Sequence, residues 1–478
     1  MTKSLSFLKS IGKDIIIYGT GSILFKLVPI IMIPIYTKIF SPSEYGILDL
    51  IISISLLISV LGLLQLESAL ARFYYDYSGK QSKKILISTV FWAILLCSSV
   101  IALIFILLST SVSNLFFNSG SYRNPIIAAS ISVILYNINA LFSVIIRFEK
   151  KPTLFLVIST IQMVFNLAIS YYSVVVLHVG IIGALLGQIA GLISAILIYF
   201  FLYYNYFAFA WRISLLKDLL RYSLPIVPSV GVNWANNYLN KFILLFYTTT
   251  FEVGLLSMAL KCVAVFTLFE GAFNMAWTPF LYKTLEKKNH KEIITYFYSS
   301  CMVILLSLTL IFILFASDIF KLLIDQTYWK SLEIVSFLSI AASLRILTGV
   351  VGVGPNITKQ TYYITIISLI SLIINLLSLV ILVPLIGILG FAISLLITNT
   401  LVLISSWLIT ERVYPLVFKK LLSIFAFLYL VLVSGYNYLH PFNIWVKISV
   451  LLFFLIGIYL LPKFNQILNK VKALKIPI

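Results

Sequence analysis

Residues 27–46 read LVPIIMIPIYTKIFSPSEYG, a proline-notched apolar helix followed by a short polar hairpin and the first residues of another helix. Residues 244–254, LLFYTTTFEVG, repeat this pattern weakly, with their final glycines about 208 positions apart. A membrane chain that repeats its entry hairpin commonly has two lobes that face each other across a pathway. The pattern therefore favours a transporter.

The composition indicates an integral membrane protein. Hydrophobic residues make up 61% of the 478 residues and charged residues only 10%, whereas soluble domains carry about 25% charged residues. Windows of about 20 apolar residues predict an all-α polytopic membrane protein with about 14 transmembrane helices. No cleavable signal peptide is expected, because the first apolar segment contains Lys26 and lacks a small-residue cleavage site.

The net charge of +19 is explained by topology rather than by nucleic-acid binding. Most Lys and Arg residues fall in alternate loops, which the positive-inside rule assigns to the cytoplasm. This alternation predicts an even number of spans with both termini cytoplasmic. Anionic lipid headgroups are the expected partners of the basic loops, and no nucleic-acid partner is expected.

Further residue pairs share the offset of the two hairpins. Asn166 corresponds to Asn375, and Gly180 to Gly387, at separations of about 207–209 residues. They predict a duplicated six-helix unit, whose copies share one membrane orientation because six is even. The predicted domains are an N-terminal six-helix lobe at 1–208, a C-terminal six-helix lobe at 209–415, and two additional transmembrane helices at 416–478.

Deep cations are the first candidates for substrate contact, because a charge in a lipid-facing helix costs roughly 2.5–3.5 kcal/mol. Lys26 lies about 16 Å along the first span from Ile15, too deep to reach either surface easily. We interpret it as a cation in a central cavity; the alternative is a buried structural ion pair. Lys261 in the eighth span and Arg345 in the tenth are also candidates.

The seventh predicted span, 222–247, carries a polar stripe on one helix face. Its members are Asn233, Asn236, Asn237, Asn240 and Lys241. One or two asparagines would be explained by contacts between helices, but five polar residues on one face indicate a surface that lines water. Pro225 and Pro228 near the start of the span predict a kink that permits bending.

Three acidic residues are candidates for coupling to a proton or to sodium: Glu270, Glu67 and Asp49. Glu270 is nine residues from Lys261, which places the two on opposite faces of an ideal helix, so they could share one cavity only if the helix is distorted. Asp49 and Glu67 lie near the ends of the second span, 46–70, where a side chain can also reach the interface. No metal site and no cofactor is expected.

The bias of the deep charges toward cations suits an anionic cargo, especially a phosphate. Asparagines together with Trp234 and Tyr238 add hydrogen bonds and ring surfaces suited to sugars. ATP hydrolysis is not expected, because the chain has no G-x-x-x-x-G-K-[ST] loop.

The pattern of residues 27–46 resembles the entry hairpin of bacterial polysaccharide flippases, the Wzx-type translocases of O-antigen and capsule repeats. The basic N-terminus, the sequence YSLP at 222–225 and the arrangement of six plus six plus two helices are similar too. The resemblance covers essentially the whole chain. It implies the fold of the multidrug/oligosaccharidyl-lipid/polysaccharide exporter superfamily, with two lobes forming a V around a central cavity, in the bacterial cytoplasmic membrane.

The resemblance also implies a non-enzymatic function. It is the translocation of undecaprenyl-pyrophosphate-linked oligosaccharide repeats to the outer leaflet by alternating access, with a polysaccharide polymerase and chain-length proteins as candidate partners. In related lipid II flippases, cavity cations contact the pyrophosphate and the two additional helices help form a groove for the lipid tail. Lys26 and Lys261 are the positions most like those cations, although lysine lacks the bidentate fork of arginine.

Two other classes of protein stay open. A drug or cation antiporter of the same fold should have an acid-rich cavity, which the lysines argue against. A membrane-embedded polysaccharide polymerase should carry paired arginines or acids in a large outer loop, and the loop at 317–330 is a poor candidate.

Overall fold

The structure, a computed structural model, describes residues 28–77, 79–207, 210–360, 362–416, 420–440 and 442–460. These residues form helices joined by short loops, with no β-strand among them. The predicted all-α fold is therefore confirmed. Lys26 lies outside the described residues.

The described residues divide into two compact units. The first extends to Leu245 and also includes Thr249–Gly254, whereas the second takes Phe246–Thr248 and the residues from Leu255 onward. The helices of the first unit are α1 (Val28–Ile39), α2 (Pro42–Leu63), α3 (Leu66–Phe73), α4 (Lys80–Leu107), α5 (Ser109–Phe117), α6 (Arg123–Phe148), α7 (Pro152–Tyr171), α8 (Ile181–Tyr203), α9 (Ile213–Ser223), α10 (Val227–Trp234) and α11 (Asn240–Tyr247, whose last two residues belong to the second unit). The three-part division predicted from the repeats stays a prediction.

The polar hairpin sets the start of α2. The backbone N–H of Glu44 donates to Ser41 Oγ over 3.3 Å, and the N–H of Ser41 donates to Glu44 Oε2 over 2.9 Å. This reciprocal capping box satisfies two donors that the helix end would leave unpaired, and Pro42 occupies the first turn, where it costs no hydrogen bond. The helix therefore begins at Pro42, four residues before the predicted span.

The second span also ends earlier than the sequence predicts. Helix α2 stops at Leu63, and both Leu64 and Gln65 adopt left-handed backbone angles, with φ of 49° and 56°. A left-handed residue cannot continue a right-handed helix. The prediction of a span over 46–70 is therefore wrong at its C-terminal end, and Glu67 belongs to the separate short helix α3.

A buried polar network joins three helices of the first unit. Asn137 of α6 donates from Nδ2 to Ser98 Oγ of α4 over 2.8 Å, while Ser59 of α2 donates to Asn137 Oδ1 over 2.6 Å. Hydrogen bonds between membrane helices each contribute roughly 0.6–2 kcal/mol. Gly62 permits this approach, because a Cβ there would lie 2.9 Å from Ser98 Oγ.

The second unit continues the series of long helices. Its elements are α12 (Thr250–Cys262, whose first turn belongs to the first unit), α13 (Ala264–Leu285), α14 (His290–Leu323), α15 (Val335–Val351), α16 (Gly354–Ile357), α17 (Tyr362–Val413), α18 (Lys420–Leu439) and α19 (Ile444–Leu460). Helix α17 contains two predicted spans, because its backbone leaves the helical conformation at Ile386 and Gly387.

Two glycines that correspond in the predicted repeat share one backbone conformation. Gly180 has φ 65° and ψ −143°, and Gly387 has φ 57° and ψ −134°. Only glycine adopts these angles without strain, because other residues carry a Cβ. The agreement supports the correspondence between these two positions.

Eight helices among the described residues are long and apolar enough to cross a membrane, or nine if α12 and the start of α13 form one bent span. Other predicted spans are divided into shorter helices or extend beyond the described residues. The multi-pass architecture is thus confirmed, and the count of about 14 stays a prediction.

Candidate substrate and ion-coupling sites

The seventh predicted span is interrupted twice, by a 3₁₀ turn over Leu224–Ile226 that contains Pro225 and by a π-helical turn. Pro228 lies in the first turn of α10. A π-helical turn over Ala235–Leu239 then joins α10 to α11, which begins at Asn240. π-Helical turns are rare and often occur at functional sites, since the wider turn changes which side chains share a face. The asparagine stripe lies across this turn.

Lys241 forms a buried ion pair with Asp49 of α2. Lys241 Nζ donates to Asp49 Oδ2, and the two side chains are only 8% and 9% exposed. The ring of Tyr238 lies 5.5 Å from the lysine nitrogen. Buried charges are stable only when they are paired, so each of these two charges depends on the other. Asp49, which could have reached the interface, is instead buried.

A second contact fixes the same helix against α2. Trp234 Nε1 donates to the backbone oxygen of Ser53 over 2.9 Å, one helical turn from Asp49. The two contacts lie on either side of the π-helical turn. They therefore fix the rotation of α10 and α11 relative to α2.

The polar stripe is not uniform. Asn233 and Asn237 are exposed, Asn236 is half-buried, and Asn240 and Lys241 are buried. Asn237 Nδ2 donates to the Asn233 carbonyl over 2.7 Å, and Asn240 Nδ2 donates to the Asn236 carbonyl over 3.3 Å. The buried Oδ1 of Asn240 has no hydrogen-bond partner. One half of the stripe is thus accessible at the surface, and the other half is packed inside the first unit.

In the second unit, two candidate residues bind each other. Arg345 of α15 donates to Glu270 of α13 over 2.6 Å, and the side chains are 44% and 24% exposed. Arg345 keeps further N–H donors beyond this bond, because a guanidinium carries five. Arg345, a predicted substrate contact, and Glu270, the first candidate for ion coupling, are therefore direct neighbours.

The helix that carries Lys261 is bent. Helices α12 and α13 meet at Val263 with an angle of 43°. Lys261 of α12 is half-buried and Glu270 lies beyond the bend. The straight-helix argument that places the two residues on opposite faces does not apply here, because the helix is distorted.

Glu67 lies in α3, outside the spanning part of α2. Its Oε2 is buried and has no hydrogen-bond partner. Burial raises the pKa of Glu67 to about 7, although backbone N–H groups and the charge of Arg147 act in the opposite direction. Glu67 is therefore placed to change its protonation near neutral pH.

The sequence indicated these charged residues, but it did not indicate which of them pair with each other. Asp49 and Lys241 are 192 positions apart, and Glu270 and Arg345 are 75 apart. Opposite charges in different spans are a signal for pairing in general, but not for a particular pair. The Asn137 network was missed altogether. No cluster of three or more metal-ligating side chains occurs in the described part of the chain.

The fold defines the class of protein. The chain superimposes on a lipid II flippase, MurJ in an inward closed conformation, with a TM-score of 0.69 over 95% of this chain and 99% of that chain, at 15% identity. It also superimposes on an inward-facing multidrug resistance MATE family transporter of the MOP superfamily, with a TM-score of 0.60 over 81% of this chain and 93% of that chain, at 14% identity. The molecule is a multi-pass membrane protein with the MOP fold.

The sequence defines the family. Residues 11–285, more than half of the chain, match the family described as polysaccharide biosynthesis protein, and the chain belongs to that family. It is also 25% identical to the Lsg locus putative protein 1 of Haemophilus influenzae over 292 residues, which cover 58% of this chain and 67% of that protein. The resemblance seen in residues 27–46 is therefore confirmed.

Proposed function

We propose that this chain translocates undecaprenyl-pyrophosphate-linked oligosaccharide repeats to the outer leaflet of the bacterial cytoplasmic membrane, for assembly of a surface polysaccharide such as O-antigen. The observation that carries the proposal is the family match over residues 11–285, and the fold agrees with it: the lipid II flippase superimposes with a TM-score of 0.69, whereas the multidrug transporter reaches 0.60. The family match supports a saccharide cargo over a drug. Transport proceeds by alternating access, without covalent chemistry on the cargo.

Arg345 and the exposed asparagines are the residues that we assign to the headgroup. A pyrophosphate needs cationic donors, and the half-exposed guanidinium of Arg345 has donors to spare. Asn233 and Asn237 are exposed amides that both donate to and accept from sugar hydroxyls. Lys26 and Lys261 remain proposed contacts by resemblance.

Glu270 is the residue that we assign to coupling. Its carboxylate holds Arg345, so a phosphate that takes the guanidinium would release the carboxylate for a proton or a sodium ion. Asp49 is already neutralised by Lys241, and we assign that pair to positioning the asparagine stripe.

An apolar cavity of the second unit suits the lipid tail. It has a volume of about 420 Å³ and lies against α15, α17 and α18, with Leu344, Trp407 and Phe427 among its lining residues. Its wall is almost entirely hydrocarbon, which matches a polyprenyl chain and not a polar headgroup. The additional helix α18 thus contributes to the proposed tail site.

The test is complementation in a strain that lacks this gene and any second flippase. The wild-type gene should deliver the lipid-linked repeat to the outer leaflet, whereas Arg345→Ala and the double change Asn233→Ala with Asn237→Ala should leave most of it on the cytoplasmic face. Ser229→Ala is the matched control, because this exposed hydroxyl on α10 donates to the nearby carbonyl of Ile226. Normal delivery in the strain without the gene would remove the proposal.

A further inference from the structure

The second unit contains a polar cavity that none of the candidate residues above lines. It has a volume of about 460 Å³, within the usual range of about 300–1,000 Å³ for small-molecule sites. It is formed by the end of α14, the 3₁₀ helix Gln326–Ile334, and the junction of α18 with α19. We refer to it as the loop pocket.

Charges of both signs line the loop pocket. They are Lys321, Lys330, Lys447, Asp318 and Glu333. Lys447 is buried and donates to Asp318 Oδ2 over 2.5 Å, which fixes the start of α19 against α14. A lining with three cations and two carboxylates does not single out an anion. It suits a neutral ligand whose groups both donate and accept hydrogen bonds.

Aromatic rings complete the lining. Trp329 and Tyr438 line the pocket and are 37% and 38% exposed, so part of each ring is accessible to a ligand. The nitrogen of Lys321 lies 5.2 Å from the centroid of the Trp329 ring, a cation–π distance that holds a charged donor beside the indole face. The pocket therefore combines an exposed indole with charged hydrogen-bonding groups.

We propose that the loop pocket binds a saccharide ring, with Trp329 as its stacking platform. A sugar hydroxyl is donor and acceptor at once, so a single ring satisfies both lysines and carboxylates. The C–H face of the sugar is apolar and weakly positive, and it packs on the negative face of an aromatic ring. A free anion would leave Glu333 opposed by a like charge, and a hydrocarbon chain would offer the polar lining no hydrogen bonds.

The charge-based topology predicts that residues 317–330 lie on the outer side of the membrane. The loop pocket would then hold sugars of the repeat after they have crossed. This role rests on the proposed function, whereas saccharide binding itself does not require transport. Binding is therefore tested on the purified chain, separately from delivery of the lipid-linked repeat in cells.

The experiment is saturation-transfer NMR on the full chain in nanodiscs, with free hexose, N-acetylhexosamine and deoxyhexose disaccharides as probes. At least one probe should receive saturation at its ring C–H protons. Trp329→Ala should weaken its binding by about tenfold, whereas Trp329→Phe should change it less because a ring remains. Trp445→Ala is the matched control, since Trp445 is exposed on α19 and does not line the pocket.

Thermal unfolding of each variant shows whether it is folded, and a folded Trp329→Ala with wild-type binding overturns the proposal. Absence of saturation transfer from every probe overturns it too. So does displacement of the disaccharide by glycerophosphoethanolamine at lower concentration than by other sugars, because the pocket would then be a site for a zwitterionic lipid headgroup. If wild-type protein binds sugar through Trp329 but delivers no lipid-linked repeat, the pocket stands and the proposed function fails.

Discussion

The two ion pairs differ in burial, and burial determines their energetic roles. Asp49 and Lys241 are each exposed by less than a tenth, whereas Arg345 is 44% exposed. A buried charge that loses its partner costs about 3–5 kcal/mol, while a pair in contact with water contributes roughly 0–1 kcal/mol. The first pair is therefore a structural element of the helix packing, and the second can open without unfolding its surroundings.

The buried pair predicts a non-additive response to mutation. Lys241→Met or Asp49→Leu alone should lower the free energy of unfolding by about 3–5 kcal/mol, because each removes one partner of a buried ion pair. The double variant should recover most of that loss. Unfolding in detergent, followed by tryptophan fluorescence, measures the effect. A double variant that is as unstable as the sum of the singles would contradict the assignment.

Glu67 predicts a pH dependence of stability. Its pKa of about 7 in the folded protein exceeds the ordinary value of 4.5. Between these values the folded state binds more protons than the unfolded state, so stability falls as pH rises through this window. Glu67→Gln should therefore unfold at a higher temperature than wild type at pH 8, and at a similar temperature at pH 5. Exposed Glu286→Gln is the control, and an equal gain for both variants at pH 8 would refute the prediction.

Residue spacing alone located Lys241 and the asparagines on one helix face. It could not locate Asp49 as the partner, because contacts over 192 positions depend on how helices pack. Nor could it divide the stripe into exposed Asn233 and buried Asn240. Those differences follow from the π-helical turn and from the neighbouring helix, neither of which has a periodic signal.

Helix ends and bends account for the other differences from the sequence. The end of α2 at Leu63 depends on two left-handed residues, Leu64 and Gln65, that are neither glycine nor proline. The 43° bend at Val263 likewise has no proline or glycine at its centre. By contrast, the break in α17 falls at Gly387, which the predicted repeat pairs with Gly180, because glycine is the residue that such a turn requires.

The first turns of α2 and α12 contact each other through glycine. A Cβ at Gly46 would lie 2.2 Å from the oxygen of Thr250, and one at Gly254 would lie 1.8 Å from the oxygen of Pro42. Both contacts are with backbone, which cannot move aside as a side chain can. The two glycines that first indicated a repeated hairpin therefore meet in space.

This contact predicts a strong effect of a single methyl group. Gly46→Ala and Gly254→Ala should each lower the free energy of unfolding by about 1–3 kcal/mol, because the helices must separate. Gly231→Ala is the matched control: nothing lies within 4 Å of its Cβ position, and alanine favours a helix by about 1 kcal/mol. Thermal unfolding in detergent compares the three. Equal stability of all three variants would show that the contact is not tight.

For the whole molecule, composition and charge predicted the class of protein well. A hydrophobic fraction of 61% requires membrane-spanning helices, and residues 27–46 carried the family resemblance. The compact unit that extends to Leu245 reflects contacts of α10 and α11 with α2, whereas the predicted lobe boundary at residue 208 stays a prediction. A repeat in the sequence is evidence of duplication, whereas a compact unit is defined by contacts between helices.

The alternation of basic loops predicts the topology, and the labelling of single cysteines in the loops tests it. In a background with Cys97, Cys262 and Cys301 changed to alanine, Thr327→Cys should react with a membrane-impermeant maleimide in intact spheroplasts. Asn289→Cys should react only after permeabilisation, because its loop is predicted to be cytoplasmic. Both positions are exposed, so neither is protected by packing. The opposite pattern would invert the topology and place the loop pocket inside the cell.

The π-helical turn over Ala235–Leu239 has a consequence for insertions and deletions. Each residue of an α-helix rotates the chain by about 100° around the helix axis. A π-helical turn contains one residue more than an α-helical turn, so it compensates for the rotation that the extra residue would otherwise cause. Deletion of Ala235 would therefore restore a regular α-helix and leave Lys241 facing Asp49, because the turn already compensates for the extra residue. Closing the turn at unchanged chain length would instead rotate Lys241 by about 100° away from Asp49 and break the buried ion pair, although both side chains would still be present.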